Sequence, residues 1–145
     1  MKVTIETSAA GLEPEIIIRC READETILQL ADLIRSSDRK LIGMSDSVLH
    51  LIPPADVFYF ESVENRVFIY CREKVYETRL RLYEIEAETG AGSFFRASKS
   101  TILNLSRIRE LKPAFYGRFE AILQNGERVL ISRQYVPLLK QKLGL

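Results

Sequence analysis

The stretch that decides the fold class is DVFYFESVENRVFIYCREKVYET, residues 56–78. β-Branched and aromatic residues dominate three short runs, and polar residues typical of turns separate the runs. This pattern predicts strands at 56–63, 67–72 and 75–78, joined by turns at 64–66 and 73–74. Strands joined by turns this short form an antiparallel meander, so we expect a mainly β fold.

A hairpin is expected upstream of the meander. Residues 40–44 and 48–52 alternate as strands do, and Ser45, Asp46 and Ser47 between them are typical turn residues. Pro53 and Pro54 follow at once and cannot donate a ladder hydrogen bond, so an extended connection is predicted there.

Downstream of the meander, strands continue and a helix ends the chain. Residues 80–89 are rich in Leu, Arg and Glu and predict a short helix that closes at 90–92. Three further strands are expected at 108–113, 119–123 and 128–131. The Asn125-Gly126 pair between the last two strands is a strong hairpin signal. Ser132 is a candidate cap for a final helix, and Pro137 predicts an irregular turn at 133–136 before its regular part.

The N-terminal residues read as a separate extension. Alternation predicts strands at 2–6 and 16–20, and Asp24 is a plausible cap for a helix with one apolar face. We therefore expect a strand-strand-helix extension at 1–38 and a β-rich domain with short helices at 39–145. The extension is acidic, so it is available for a dimer or partner contact rather than for a polyanion.

Composition excludes several classes of protein. With 145 residues, 46% apolar and 28% charged, the chain suits one globular unit. It lacks an apolar run of membrane-spanning length and the apolar segment of a signal peptide, so a cytoplasmic protein is expected. Cys20 and Cys71 lie in apolar stretches and are interpreted as buried thiols, and His50 is the single histidine. No catalytic residue, cofactor or metal site is therefore expected.

The net charge of +1 conceals two opposite parts of the chain. Residues 1–95 carry 11 basic and 17 acidic side chains, a net charge of −6, whereas residues 96–145 carry 10 basic and 3 acidic, a net charge of +7. A basic segment on an acidic body is typical of proteins that bind a polyanion with one surface. Basic residues also serve solubility alone, so charge leaves both interpretations open.

The run FFRASKSTILNLSRI, residues 94–108, resembles the signature of the LytTR family of DNA-binding domains in bacterial transcription regulators. DVFYFESVENRVFIYC (56–71) is similar to an earlier pair of strands in that family. The Asn-Gly hairpin and VLISRQYVPLLKQKL (129–143) are similar to its closing strand, Ser-Arg turn and terminal helix. The resemblance covers about residues 39–145.

The resemblance implies small packed antiparallel sheets whose loops, rather than a recognition helix, enter successive major grooves of DNA. The family's contact positions fall in three loops and comprise Asn65 or Arg66, then Arg96, Ser98, Lys99 and Ser100, then Arg133 and Gln134. Arginine and lysine can bind guanine edges and glutamine can bind adenine, so Arg66, Lys99, Arg133 and Gln134 are expected to face bases. Arg96, Ser98, Ser100, Arg107, Arg109 and Lys112 are expected to contact phosphates or to add positive field.

The resemblance also implies partners. We expect a sequence-specific, double-stranded-DNA-binding transcription regulator that acts as a homodimer on repeated half-sites. Some family members of this size are held inactive by a membrane-bound antagonist protein, which is therefore a possible partner. Only about 38 residues precede the domain in this sequence, too few for a receiver domain, so control by phosphorylation of such a domain is not expected. The alternative is a protein-interaction module of the same fold that binds another regulator.

Three details complete the expectations. Many family members have a histidine where this chain has Ala97, Ser98 and Lys99, so we expect this chain to read different bases there. Asn104 is interpreted as a structural hydrogen-bonding residue. Phe115 and Tyr116 could stack on bases only if they are exposed.

Overall fold

The computed structural model describes residues 1–9, 11, 14–37, 40–89 and 92–145. Its helices are α1 (Glu25–Ser37), α2 (Leu82–Thr89) and α3 (Val136–Leu143). Its strands are β1 (Leu41–Ser45), β2 (Val48–Ile52), β3 (Tyr59–Val63), β4 (Arg66–Tyr70), β5 (Val75–Thr78), β6 (Phe94–Ser98), β7 (Thr101–Asn104), β8 (Ile108–Pro113), β9 (Phe119–Leu123) and β10 (Arg128–Ile131). The expected mainly β fold with short helices is confirmed.

The strands form two antiparallel sheets. The larger sheet has the order β2-β1-β5-β4-β3-β7-β6, so β3, β4 and β5 lie side by side as the predicted meander. The smaller sheet has the order β10-β9-β8. Short turns fit this topology, because hairpins join antiparallel neighbours with few residues.

Both faces of the larger sheet are covered near β3 and β7. Successive strand residues point to opposite faces, so Ile102 packs in a core that includes Leu82 and Ile85 of α2. The adjacent Leu103 packs in a second core that includes Ile131 of the smaller sheet and Leu139 of α3. The two cores hold the smaller sheet, α2 and α3 around the strands β6 and β7.

The hairpin turns have the backbone geometry that tight antiparallel connections need. Asp46 and Ser47 have φ values of 50° and 64°, and Glu64 and Asn65 have 51° and 65°. Two consecutive positive φ values match the right-handed twist of the flanking strands, and short polar residues such as Asn and Asp tolerate them. The predicted turns after β1 and β3 are therefore confirmed.

The two N-terminal strands predicted at 2–6 and 16–20 are wrong. The described residues of both segments are outside any strand and are exposed, including Ile16 and Ile17. Alternation alone does not form a strand, because a strand needs a neighbour for its backbone hydrogen bonds. The helix that follows is confirmed as α1, and the Ile27 N–H donates to Asp24 Oδ1 at 3.0 Å as an N-cap should.

Two smaller predictions are also wrong. Pro54–Asp56 forms a 3₁₀ turn rather than an extended connection, because Pro at the first helical position has the φ that such a turn requires. Cys20 is exposed, since the segment around it packs on nothing described, whereas Cys71 is half-buried. The division of the chain at residue 38 stays a prediction.

Candidate nucleic-acid interface

Three segments distant in sequence meet at one end of the molecule. The turn at 64–65 joins β3 to β4, and the Ser62 N–H beside it donates to the Ser100 carbonyl at 2.8 Å. The Ser132 N–H in turn donates to the Ala97 carbonyl at 2.9 Å, which fixes the segment after β10 against β6. We call this end, formed by 64–65, 99–100 and 132–134, the loop end.

The loop end contains an open concavity of about 660 Å³. Its lining comes from two of the three segments and comprises Ser98, Lys99, Ser100, Ser132, Arg133, Gln134 and Pro137. Five of these are contact positions that the sequence analysis proposed, and Lys99, Arg133 and Gln134 are all exposed. The concavity therefore presents two cations and one bidentate amide to solvent.

The second contact segment is a tight hairpin, whereas the resemblance implies a loop that contains Arg96, Ser98, Lys99 and Ser100. Arg96 and Ser98 lie in β6, and only Lys99 and Ser100 form the turn to β7. The Ser100 N–H donates to Ser98 Oγ at 3.2 Å, a local bond that stabilises the turn. The pairing of Arg96 with Ile102 extends the ladder close to the turn, and a register shift follows between Arg96 and Ser98.

Arg96 is not part of the concavity. On β6 it lies two residues after Phe94, so its side chain points toward α2. There Arg96 Nε lies 3.6 Å from Glu86 Oε2, and the side chain is only 18% exposed. Its Nη1 is buried with no hydrogen-bond partner in the described structure. The structure thus places Arg96 between β6 and α2, away from the other candidate residues.

Arg66 is engaged by its own sheet. Its guanidinium makes two hydrogen bonds to the Glu77 carboxylate on β5, at 3.0 and 2.7 Å, and lies over the Phe68 ring. These hydrogen bonds raise the pKa of Arg66 and lower the pKa of Glu77. Asn65 is exposed in the turn, so Asn65 is the residue of the first segment that is free to reach outward.

Arg133 lies against the turn that joins β8 to β9. A Cβ atom built on Gly117 would be 2.8 Å from Arg133 Cδ and 3.0 Å from Cγ, so the arginine stem rests on the bare glycine backbone. Sequence reasoning missed Gly117, although a glycine between Tyr116 and Arg118 in a strand connection is a signal for a positive φ, which here is 72°. Gly117 therefore positions Arg133 at the edge of the concavity.

The start of the last helix differs from the prediction in its cap. The irregular turn at 133–136 is confirmed as a 3₁₀ turn, Arg133–Tyr135, ahead of α3. Ser132 makes no side-chain cap bond, because its hydroxyl donates to the Ala97 carbonyl at 3.3 Å instead. Ser132 therefore joins the closing segment to β6 rather than stabilising the helix.

Arg107 lies at the opposite end of the molecule. Its guanidinium donates to the Ala55 carbonyl and, at 3.1 Å, to Gln124 Oε1. These bonds attach the 3₁₀ turn after β2 to the hairpin between β9 and β10. The structure thus gives Arg107 a structural contact away from the other candidates, whereas Arg109 and Lys112 are exposed on β8.

Asn104 makes structural hydrogen bonds to three other segments of the chain, which confirms the prediction from the sequence. It is 1% exposed, and its Nδ2 donates to the Val57 carbonyl at 2.8 Å. Its Oδ1 accepts from Ser93 Oγ at 2.7 Å and from both the backbone N–H and the hydroxyl of Ser106. These bonds join Asn104, the last residue of β7, to the segments before β3 and β6 and to the turn after β7.

Comparison with known proteins identifies the family. Residues 47–144 match the family model of the LytTr DNA-binding domain. The chain is 35% identical over 97 residues to the sensory transduction protein LytT of Enterococcus faecalis, which covers 67% of this chain and 40% of that protein. It is 26% identical over 147 positions to an uncharacterized HTH-type transcriptional regulator of Staphylococcus aureus, which covers 100% of this chain and 99% of that protein.

A solved structure has the same fold. The LytTr DNA-binding domain of a putative methyl-accepting/DNA response regulator from Bacillus cereus matches with a TM-score of 0.71 and 24% identity, over 74% of this chain and 99% of that one. The chain therefore belongs to the LytTR family, a family of DNA-binding domains and not of enzymes. Along the described part of the chain, no helix is long and apolar enough to cross a membrane.

Proposed function

We propose that this protein is a sequence-specific transcription regulator that binds double-stranded DNA through the loop end. The observation that carries the proposal is the convergence of Lys99, Arg133 and Gln134 on one exposed concavity. The family supplies the class of ligand, and the charge of +7 over residues 96–145 fits a polyanion.

The chemistry of the concavity divides into two tasks. Arg133 and Lys99 can donate to the O6 and N7 atoms of guanine, and Gln134 can bind adenine through two hydrogen bonds. Ser98 and Ser100 are suited to phosphate oxygens, which fix the register of a protein on the duplex. Asn65 is the candidate for a third contact from the first turn. Two hairpin turns and a helix start thus act where other proteins use one recognition helix.

Two of the contact positions that the family resemblance implies, Arg66 and Arg96, have a smaller role in this proposal. Arg66 must break its ion pair with Glu77 before it can contact a base. Arg96 must likewise break its ion pair with Glu86 on α2. We therefore propose that Arg96 adds positive potential without direct base contact. Arg66 contributes only where a phosphate competes successfully with the Glu77 carboxylate.

The finer parts of the proposal concern assembly. Two copies bind repeated half-sites on one face of the duplex, in the cytoplasm where the DNA lies. The acidic extension, with exposed Ile16 and Ile17, is then available for the second copy or for a membrane-bound antagonist protein. The alternative function, a protein-interaction module of the same fold, would leave Lys99 and Arg133 without any role in duplex binding.

Selection from a random duplex library, followed by binding measurements over a range of salt concentrations, tests the proposal. The logarithm of the affinity should fall with the logarithm of the salt concentration, with a slope of about −0.9 for each phosphate contacted. Lys99→Ala and Arg133→Ala should weaken binding. Lys74→Ala is the matched control, because Lys74 is exposed in the turn between β4 and β5 at the opposite end of these strands.

The two readouts separate the outcomes. Equal affinity of Lys99→Ala, Lys74→Ala and the unchanged protein would place the DNA surface elsewhere. Failure to select any duplex, or binding without salt dependence, would contradict DNA binding itself and favour the protein-interaction module.

A further inference from the structure

The connection between β8 and β9 presents two aromatic rings to solvent. Phe115 and Tyr116 are each 84% exposed, and their ring centroids are 6.4 Å apart. Large exposed aromatic side chains next to each other are unfavourable in water and mark binding surfaces. Neither ring belongs to either core.

Tyr116 is also held in a conformation that aromatic residues avoid. Its φ and ψ are 64° and 33°, in the left-handed region. Among the described residues, the other positive-φ positions that are not glycine are Asp46, Ser47, Glu64 and Asn65, all polar residues in hairpin turns. A bulky residue in this region is strained, and such strain concentrates at functional sites.

The turn is braced internally, so it is preorganised. The Ala114 N–H donates to the Arg118 carbonyl at 2.8 Å, and Arg118 Nε donates to the Phe115 carbonyl at 3.0 Å. The Arg118 guanidinium carbon lies 5.7 Å from the centroid of the Tyr116 ring. A rigid, exposed aromatic pair loses little conformational entropy when it binds.

The position of the turn indicates its partner. Phe119, the first residue of β9, pairs with Ile131, the last residue of β10 and the one directly before Ser132, so the turn lies at the loop end. Gly117 carries the stem of Arg133, which makes the aromatic surface continuous with the concavity. Arg118 and Arg133 flank the rings, and this positive charge complements a phosphate backbone.

We propose that Phe115 and Tyr116 form a second DNA contact, which packs on the deoxyribose and phosphate groups beside the major groove that receives Lys99 and Arg133. The inference rests on the proposed DNA-binding function. Bases inside a duplex are already stacked, so the rings contact sugar C–H groups at the adjoining minor groove, and the tyrosine hydroxyl reaches a phosphate. This contact sets the orientation of the domain and extends its footprint beyond the bases that it reads.

The test uses the full chain and two duplexes of about three helical turns, one with a single selected half-site and one with two. Tyr116→Gly removes the ring and relieves the strain, because glycine adopts positive φ freely. Phe115→Ala removes the other ring, and Tyr83→Ala is the matched control, since Tyr83 is 69% exposed on α2. Affinity, its salt dependence and hydroxyl-radical footprints are measured for each protein.

Removal of both rings should raise Kd about tenfold, because the apolar area that the rings and sugars bury against each other stays exposed to water. The slope against salt should stay unchanged, because the rings carry no charge. The protection of sugars next to the half-site should disappear, whereas Tyr83→Ala should leave affinity and footprint as they were. A thermal midpoint equal to or above that of the unchanged protein would show that Tyr116→Gly is folded.

Two results overturn the inference. Variants without the rings that bind as tightly as the unchanged protein, with the same footprint, exclude the contact. A loss of affinity confined to duplexes with two half-sites shows that the turn binds a second copy of the chain instead. Failure of the proposed function is a separate result, since the unchanged protein would then bind no selected duplex and the inference would fall with it.

Discussion

Substitution of Gly117 by alanine should weaken DNA binding through Arg133. Gly117 has a φ of 72°, and an added Cβ would lie 2.8 Å from Arg133 Cδ and 3.0 Å from Cγ. Ordinary contacts start at 3.4 Å, so the side chain of Arg133 must move outward by several tenths of an ångström. Because Arg133 is exposed, it can move without unfolding its surroundings.

The expected magnitude has two parts. Alanine in the left-handed region costs about 1–2 kcal/mol of folding free energy, which lowers the thermal midpoint by roughly 2–8 °C. Displacement of an arginine from a guanine edge costs about 1–3 kcal/mol of binding free energy, so Kd should rise about 5- to 150-fold.

Gly126→Ala is the matched control for this prediction. Gly126 has a φ of 88°, and no atom lies within 4 Å of the Cβ that alanine would add. Both variants should therefore lose similar thermal stability, measured by calorimetry, whereas only Gly117→Ala should lose affinity, measured by fluorescence anisotropy with a selected duplex. In an Arg133→Ala background, Gly117→Ala should have little further effect on Kd, since coupled residues are not additive. Equal affinity of the two glycine variants, or full additivity with Arg133→Ala, would refute the reasoning.

Three further predictions concern stability, charge and thiol chemistry. Asn104→Ala removes four hydrogen bonds and should lower the free energy of unfolding, measured by urea denaturation, by about 3–5 kcal/mol. The DNA affinity of the folded protein should stay unchanged. A loss of affinity without a loss of stability would make Asn104 a DNA contact instead. Glu77→Gln releases Arg66 and should lower Kd and steepen the salt slope, and unchanged titrations would show that Arg66 does not reach DNA. Burial raises the pKa of Cys71 to about 11, so its thiolate fraction at pH 8 is about one in a thousand and its alkylation should accelerate up to about pH 11. Mass spectrometry of the alkylated protein should show that exposed Cys20 is modified before Cys71. Faster alkylation of Cys71 than of Cys20 would contradict the burial of Cys71.

The sequence predicts the smaller sheet better than any other part of the fold. Strands β8, β9 and β10 begin and end at the predicted residues. Asn-Gly marks one of their turns, and the strand pattern on either side is bounded by polar residues. Where a segment has no strand beside it, as at 2–6 and 16–20, the same alternation predicts a strand that the structure does not contain. Sequence periodicity indicates which side chains can lie on one face of a strand, but it does not indicate whether another strand lies beside the segment to accept its backbone hydrogen bonds.

The candidate site is only partly visible in the sequence. The resemblance identifies Lys99, Arg133 and Gln134, and the structure brings them together. It also identifies Arg66 and Arg96, but these pair with carboxylates on β5 and α2. Such ion pairs join residues of different elements, so no local pattern reveals them. Gly117 was missed for the same reason, because its role is to leave space for a side chain from another part of the chain.

Affinity cleavage of a selected duplex tests the central claim, that the loop end is the DNA-binding surface. An iron chelate is attached through Pro137→Cys, which lines the concavity, or through Lys74→Cys at the opposite end, each in a Cys20→Ser background. We predict strand cleavage within the bound site from position 137 and none above background from position 74. Cleavage from position 74 alone, or equal cleavage from both positions, would contradict the account.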